Sequence, residues 1–171
     1  YSTERIDGFL PPTEDRISIG KSKVEFEKCI QAWMNYLNFG KYSLADSSET
    51  LQLNVRGYNV SNVGFGISQV LPIIVSGLIK KSSEVLLLEQ PEIHLHPAAQ
   101  MNMADFLISM AVNEKGLIVE THSDHMINRL VRRMMEDKSL MKLIKIYFVD
   151  QDEDGVSNIQ DIVVDPVNGA I

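Results

Sequence analysis

The sequence predicts an α/β fold: a parallel sheet flanked by helices, with a β-hairpin at its C-terminal end. Three observations lead there. Two short apolar runs, Val85-Leu86-Leu87-Leu88 and Leu117-Ile118-Val119, read as strands covered on both faces. Each is followed by apolar residues at helical spacing, and strand–helix–strand–helix order implies parallel strands. Finally, Asp154-Gly155 is a strong hairpin turn between an alternating Ile146/Phe148 segment and a return strand over Val156–Val164.

Residues 1–22 carry Gly8, Pro11, Pro12 and Gly20 and little periodicity, so they read as loop with a short strand. Phe26, Ile30, Trp33, Met34 and Leu37 mark an amphipathic helix that Gly40 is expected to end. Leu51, Leu53 and Val55 alternate with polar residues, as in a half-exposed strand. A glycine-bearing turn over 62–66 leads into a helix with Ile67, Val70, Leu71, Ile74 and Leu78 on one side. Pro72 is expected in that helix's first turn, since a proline further in removes a hydrogen bond. Pro97 opens the next helix, with Met101, Ala104, Leu107 and Ile108 following. Ser123 or Thr121 caps the last, which carries Ile127, Leu130, Val131 and Met134. Three regions result: an N-terminal loop, helix and strand region (1–54), a central α/β lobe (55–142) and a C-terminal strand and hairpin (143–171).

The 171 residues are 44% apolar and 23% charged, enough for one sizeable core. A net charge of −7 argues against a broad nucleic-acid-binding face, though not against a local basic stripe. Cys29, the one cysteine, excludes an internal disulfide and points to a reducing, cytoplasmic setting. No apolar run approaches the roughly 18 residues of a membrane span. The chain begins at Tyr1 without an initiator methionine, as expected of part of a longer protein.

The chemistry concentrates in three segments. In Leu86-Leu87-Leu88-Glu89-Gln90-Pro91-Glu92-Ile93-His94-Leu95-His96-Pro97 an apolar strand ends abruptly in acidic and polar groups. Ligands of open parallel sheets bind beyond the strands' carboxyl ends. A carboxylate there, Glu89, suits Mg²⁺ held through its water shell, and the next side chain reaches an attacking water. Ile118-Val119-Glu120-Thr121-His122-Ser123-Asp124 repeats the design, with His122 able to donate a hydrogen bond to a γ-phosphate. In Val63-Gly64-Phe65-Gly66-Ile67-Ser68-Gln69 two glycines permit close backbone approach, and the following helix aims its N-terminal N–H groups at a phosphate.

In order and spacing these segments resemble the second half of ABC-type ATPases, in the branch of SMC-like repair ATPases, RecF-like proteins and overcoming-lysogenization-defect nucleases. The Glu89–Pro97 run and the Glu120–Ser123 run are most similar to the Walker B and switch elements of bacterial AAA-like proteins with a short C-terminal domain. The resemblance spans about residues 55–171. It implies the C-terminal half of an ABC-type P-loop NTPase, using ATP and Mg²⁺, that dimerises around sandwiched nucleotides. Val63–Gln69, including Gly64, Gly66, Ser68 and Gln69, would be the signature loop touching the γ-phosphate of the opposite subunit. Glu89 would be the Walker B acid near Mg²⁺, Gln90 would stand at the catalytic position, and His122 would be the switch histidine. His94-Leu95-His96 would fall in a dimer-contacting loop. DNA or an effector protein, as in antiphage defence, would be the further partner.

Three departures qualify this. Gln90 cannot take a proton as a carboxylate does, so it orients water, or Glu92 or a neighbouring carboxylate is the base, or the protein assembles on ATP with little turnover. Gly64 replaces the usual signature serine, leaving Ser61 or Ser68 to substitute. Ile19-Gly20-Lys21-Ser22 mimics the end of a Walker A loop, but the glycine needed five residues before Gly20 is Asp15. The Walker A loop is therefore expected upstream of Tyr1, and this chain alone is expected to bind ATP weakly and not turn it over.

Two rival readings remain. One is a metal-dependent hydrolase using His94, His96, His122 and His125 with Glu89 and Glu92. The other is a non-hydrolysing, ATP-gated interaction module. Arg129, Arg132 and Arg133, with Lys138 and Lys142, form a basic patch that reads as a solvated helix face or a nucleic-acid contact. Asp150, Asp152, Glu153 and Asp154 read as an exposed turn, and Trp33 and the methionines as core.

Overall fold

A computed structural model describes residues 5–13, 22–47, 50–62 and 64–171. Tyr1, Asp15, Ile19, Gly20, Lys21 and Val63, named above, lie outside the described residues. Strand β1 (Arg5–Gly8) pairs antiparallel with β2 (Ser22–Glu25), which runs into helix α1 (Phe26–Tyr36). The helix ends as Asn38 turns left-handed at φ 64°, two residues before the expected Gly40, whose own φ is 83°. Asparagine tolerates that conformation because its short polar side chain bonds locally.

Strands β3 (Tyr42–Ser47), β4 (Thr50–Val55) and β5 (Tyr58–Asn59) form an antiparallel meander, of which the sequence signalled only the middle strand. Helix α2 (Phe65–Ile79) starts at the glycine turn, so Pro72 sits in its middle rather than its first turn. Pro72 and Ser68 are both exposed, so the break in the helical hydrogen-bond ladder falls on the solvent side of the helix. Val70, Ile74, Gly77 and Leu78 form its buried face. A Cβ on Gly77 would stand 2.8 Å from both Met110 Sδ and Phe106 Cζ, so the missing side chain lets α2 lie close to its neighbour.

The α/β order is as expected: β6 (Val85–Glu89), α3 (Pro97–Val112), β7 (Gly116–Glu120), α4 (Asp124–Glu136). Strands β6 and β7 pair in parallel, with Val85 opposite Gly116 and Glu89 opposite Glu120. Leu86, Leu88, Leu117 and Val119 face the core. The other face corrects the expectation of two-sided cover: Val85, Leu87 and Ile118 are 60%, 70% and 64% exposed. An apolar run shows that both faces suit burial, not what lies against each. The C-terminal hairpin pairs β8 (Ile146–Gln151) with β9 (Ser157–Ile162), shorter at both ends than the expected return strand. Gly155 turns at φ 78°, and Asp152 accepts hydrogen bonds from the Asp154 and Val156 amides.

Trp33 centres the core. Its indole N–H donates to the Phe9 carbonyl at 3.0 Å, and its ring meets Phe106 edge-on at 4.9 Å. Met34, Met103, Met110 and Met126 surround this centre, Met134 belongs to a second apolar cluster, and Met101 lies at the surface. Cys29 is fully buried, and burial pushes its thiol up.

The basic patch is also corrected. Arg133 is 2% exposed and joins Arg129 in clasping Asp105, which is fully buried on α3. The Tyr36 hydroxyl on α1 donates to the same carboxylate at 2.6 Å. Only Arg132 of the three arginines is exposed, and it pairs with Glu136. Helical spacing alone does not reveal a buried acid on another helix, so these arginines looked like a solvated face.

Candidate functional site

The site is built at the carboxyl ends of β6 and β7, where the backbone changes character. The Gln90 amide still donates to the Glu120 carbonyl at 2.9 Å, one step beyond the paired strands. Gln90 then adopts φ 44°, and His94 φ 63°, so the turn after β6 holds two non-glycine residues in the left-handed region. Such conformations cost about 1–3 kcal/mol each and persist where surrounding contacts enforce them.

Those contacts come from three helices. The Gln69 side chain, in the first turns of α2, donates to the Gln90 carbonyl at 3.2 Å. Gln100 on α3 donates to the Leu95 carbonyl and accepts from the Ser123 hydroxyl at 2.6 Å. Ser123, rather than Thr121, caps α4 through the Met126 amide; Thr121 instead accepts from the Ser123 amide. The His122 amide donates to Glu92 Oε1 at 2.9 Å. The turns after β6 and β7 are thus tied together by side chains as well as by the strands.

Glu89 and Glu120 are opposite in register and share the open face of the sheet. The Glu89 carboxylate is exposed and makes no hydrogen bond or ion pair among the described residues. A hard oxygen donor in that position fits Mg²⁺ held through water. The His122 side chain is 78% exposed, and its Nε2 lies 3.0 Å from Glu120 Oε1. Gln90 is half-buried, while Glu92 is only 7% exposed.

The glycine turn lies beside this rim. Gly64, Phe65 and Gly66 line a shallow cavity of about 310 Å³ with Phe39, Ile67 and His94. A Cβ on Gly66 would stand 3.0 Å from the His94 carbonyl oxygen, so the bare glycine lets α2 seat against the turn after β6. Phe65 is 79% exposed and its ring lies 5.7 Å from that of His94. Ser68 is exposed in the first turn of α2.

Of the residues marked in the sequence, Gln90, Glu92, His122 and Gln69 come together through these bonds, and Glu89 stands at the end of β6 through its strand pairing. Gly66 touches the assembly through His94, and Gly64 and Ser68 flank it. The four histidines do not converge: among the described residues no three His, Cys, Asp or Glu are placed to share a metal ion. The donor set that a metal-dependent hydrolase needs is therefore not assembled there. Glu120 and Gln100 were missed. Glu120 was legible as a second strand-end acid, its register with Glu89 coming from the structure, whereas nothing in the sequence marked Gln100.

The AAA ATPase domain family matches this chain over residues 6–127. The chain belongs to that family. The AAA ATPase domain match covers both motif turns and the glycine turn of α2, and with it comes assignment to the ATP-binding ATPases. None of the curated proteins matches the sequence. A solved structure from work on ATP-driven dimerization and DNA-stimulated activation of SMC ATPases is similar, with a TM-score of 0.60 at 18% identity, covering 81% of this chain and 83% of that chain. At that identity the likeness shows the P-loop NTPase fold that this AAA ATPase domain shares with SMC ATPases. No helix among the described residues is long and apolar enough to cross a membrane.

Proposed function

We propose that this domain carries the Walker B, switch and signature elements of an ABC-type ATPase that closes as a dimer around ATP and opens on hydrolysis. One observation carries the reading. Two parallel strands in register place Glu89 and Glu120 side by side, and the turn bearing His122 is bonded to the turn bearing Gln90.

In this reading Glu89 would hold Mg²⁺, which would supply positive charge against the phosphates. Gln90, its carbonyl fixed by Gln69, orients the attacking water through its side-chain amide. The His122 imidazole donates a hydrogen bond where charge develops on the γ-phosphate. Gly64, Gly66, Ser68 and Gln69 present the first turn of α2, the positive end of its dipole, to a phosphate held by the second subunit. Affinity for ATP that exists only in the closed dimer shifts the population toward closure. DNA or an effector protein would read out that closure, and the SMC likeness supports DNA.

Glu89→Ala in the full-length protein is expected to lower Mg-ATP turnover on the order of a hundredfold or more, because a fixed electrostatic group is lost at the reacting phosphate. Unchanged phosphate release in a steady-state assay would remove Glu89 from the site. The amide at Gln90 also favours a second reading, an ATP-gated module that closes without hydrolysis. In that case ATP drives dimerisation, measured by sedimentation, while no phosphate is released.

A further inference from the structure

We infer that Glu92 is a positioning residue: its buried carboxylate ties the turn after β7 to the turn after β6 and thereby sets where the His122 imidazole stands. The inference rests on the reading of His122 as the phosphate-facing group and adds what holds it there.

The backbone ladder between β6 and β7 ends with the Gln90 amide on the Glu120 carbonyl. Beyond it no further strand pairing is available for the His122 amide. Glu92 comes back over the reversed turn that starts at Gln90, and its Oε1 accepts that amide at 2.9 Å. Thirty residues separate the partners in sequence, so the bond closes one motif on the other. The accepting carboxylate is only 7% exposed and the bond is part-buried, so water competes for the amide less than at an open surface.

The His122 side chain itself is 78% exposed, and its Nε2 lies 3.0 Å from Oε1 of the half-exposed Glu120 carboxylate, a pair open to solvent that holds the ring loosely. Its placement therefore depends on the backbone beneath it, and Glu92 holds that backbone. A general base needs a path to the water it activates. Glu92 is enclosed, one oxygen is occupied by the His122 amide, and Oε2 is buried with no hydrogen-bond partner among the described residues. Those features suit a tether and not a proton acceptor.

Glu92→Ala and Glu92→Gln separate the two roles, because glutamine keeps an oxygen for the amide and loses the ability to take a proton. In the full-length protein, Glu92→Ala is expected to speed hydrogen exchange at the His122 amide about tenfold or more. It is also expected to lower kcat on the order of a hundredfold through misplacement of the imidazole, with KM for ATP little changed. Glu92→Gln restores both. Glutamine as inactive as alanine would make Glu92 the base and overturn the inference. So would His122 exchange that does not respond to Glu92→Ala. If the unaltered full-length protein released no phosphate, the hydrolytic reading would fail, while the exchange comparison would still decide the tether.

Discussion

Asp105→Asn is expected to destabilise the folded protein by about 3–5 kcal/mol, because it strips the counter-charge from two arginines inside the fold. Asp105 is fully buried and Arg133 nearly so, with Arg133 Nε 2.8 Å from Oδ1 and Arg129 NH2 2.7 Å from Oδ2. The Tyr36 hydroxyl also donates to Oδ2, at 2.6 Å. Burial alone would push the Asp105 carboxyl up; hydrogen bonds from Arg133, Arg129 and Tyr36 outweigh it and hold the group below the usual carboxylate range. Burial and the hydrogen bond to Asp105 push the Tyr36 hydroxyl up to about 12.

The pH dependence follows from those directions. A depressed carboxyl contributes stability that is present above its unfolded pKa of about 3.9 and is lost as pH falls through its lower folded value. Urea unfolding should therefore show the protein losing stability below about pH 4, with Asp105→Asn losing less over the same window. Equal acid slopes for the two proteins would mean that the cluster is not what acid breaks. At the alkaline end the raised Tyr36 contributes stability below about pH 10, lost as pH rises toward 12. The cluster matters to the site because it fixes α4, whose first turn directly follows His122 and Ser123. Tyr36, Asp105 and the two arginines join α1, α3 and α4, so the helix after the His122 turn is held at its start by Ser123 and Gln100 and along its body by Asp105.

Lys115→Met is expected to cost about 2–3 kcal/mol, from lost charge-assisted hydrogen bonds at a helix end. The Lys115 side chain is buried, and its ammonium donates to the carbonyls of Gly77, Leu78 and Lys80 at 2.7–2.9 Å. These are carbonyls of the last turn of α2 and of its C-cap residue Lys80, where the helix dipole is negative and carbonyls lack intrahelical partners. Methionine keeps most of the stem's volume, so packing changes little and the loss reports the polar contacts. Lys115 precedes β7, so the same bonds join the far end of the glycine-turn helix to the start of the His122 strand. Denaturant unfolding with an unaltered m-value would read the loss directly. A change under about 0.5 kcal/mol would show that water replaces the ammonium at no cost, as for an ordinary surface substitution.

Much of this molecule was legible before any coordinates. The apolar runs at Val85 and Leu117, the proline opening α3, the serine capping α4 and the Asp154-Gly155 turn are local signals, and local backbone chemistry decided each. The abrupt change from leucine to Glu89 marked the rim of the sheet for the same reason. What remained hidden depends on residues far apart in sequence. No pattern within one helix could tell that Arg129 and Arg133 meet an acid on α3, or that Gln100 spans two turns. Pro72 was misplaced because the cost of a missing helical bond depends on whether water reaches the orphaned carbonyl, which is a property of the surface.

By itself, then, the chain's order of residue types determined which segments become strands and helices and which polar groups stand at their ends, since those outcomes follow from nearest neighbours. Only the tertiary structure decided which of those groups touch: that His122 leans on Glu120, that Glu92 turns inward to the His122 amide, and that one face of the β6–β7 pair stays open. Hydrogen bonds and burial between segments depend on distances that close only when the whole core has packed.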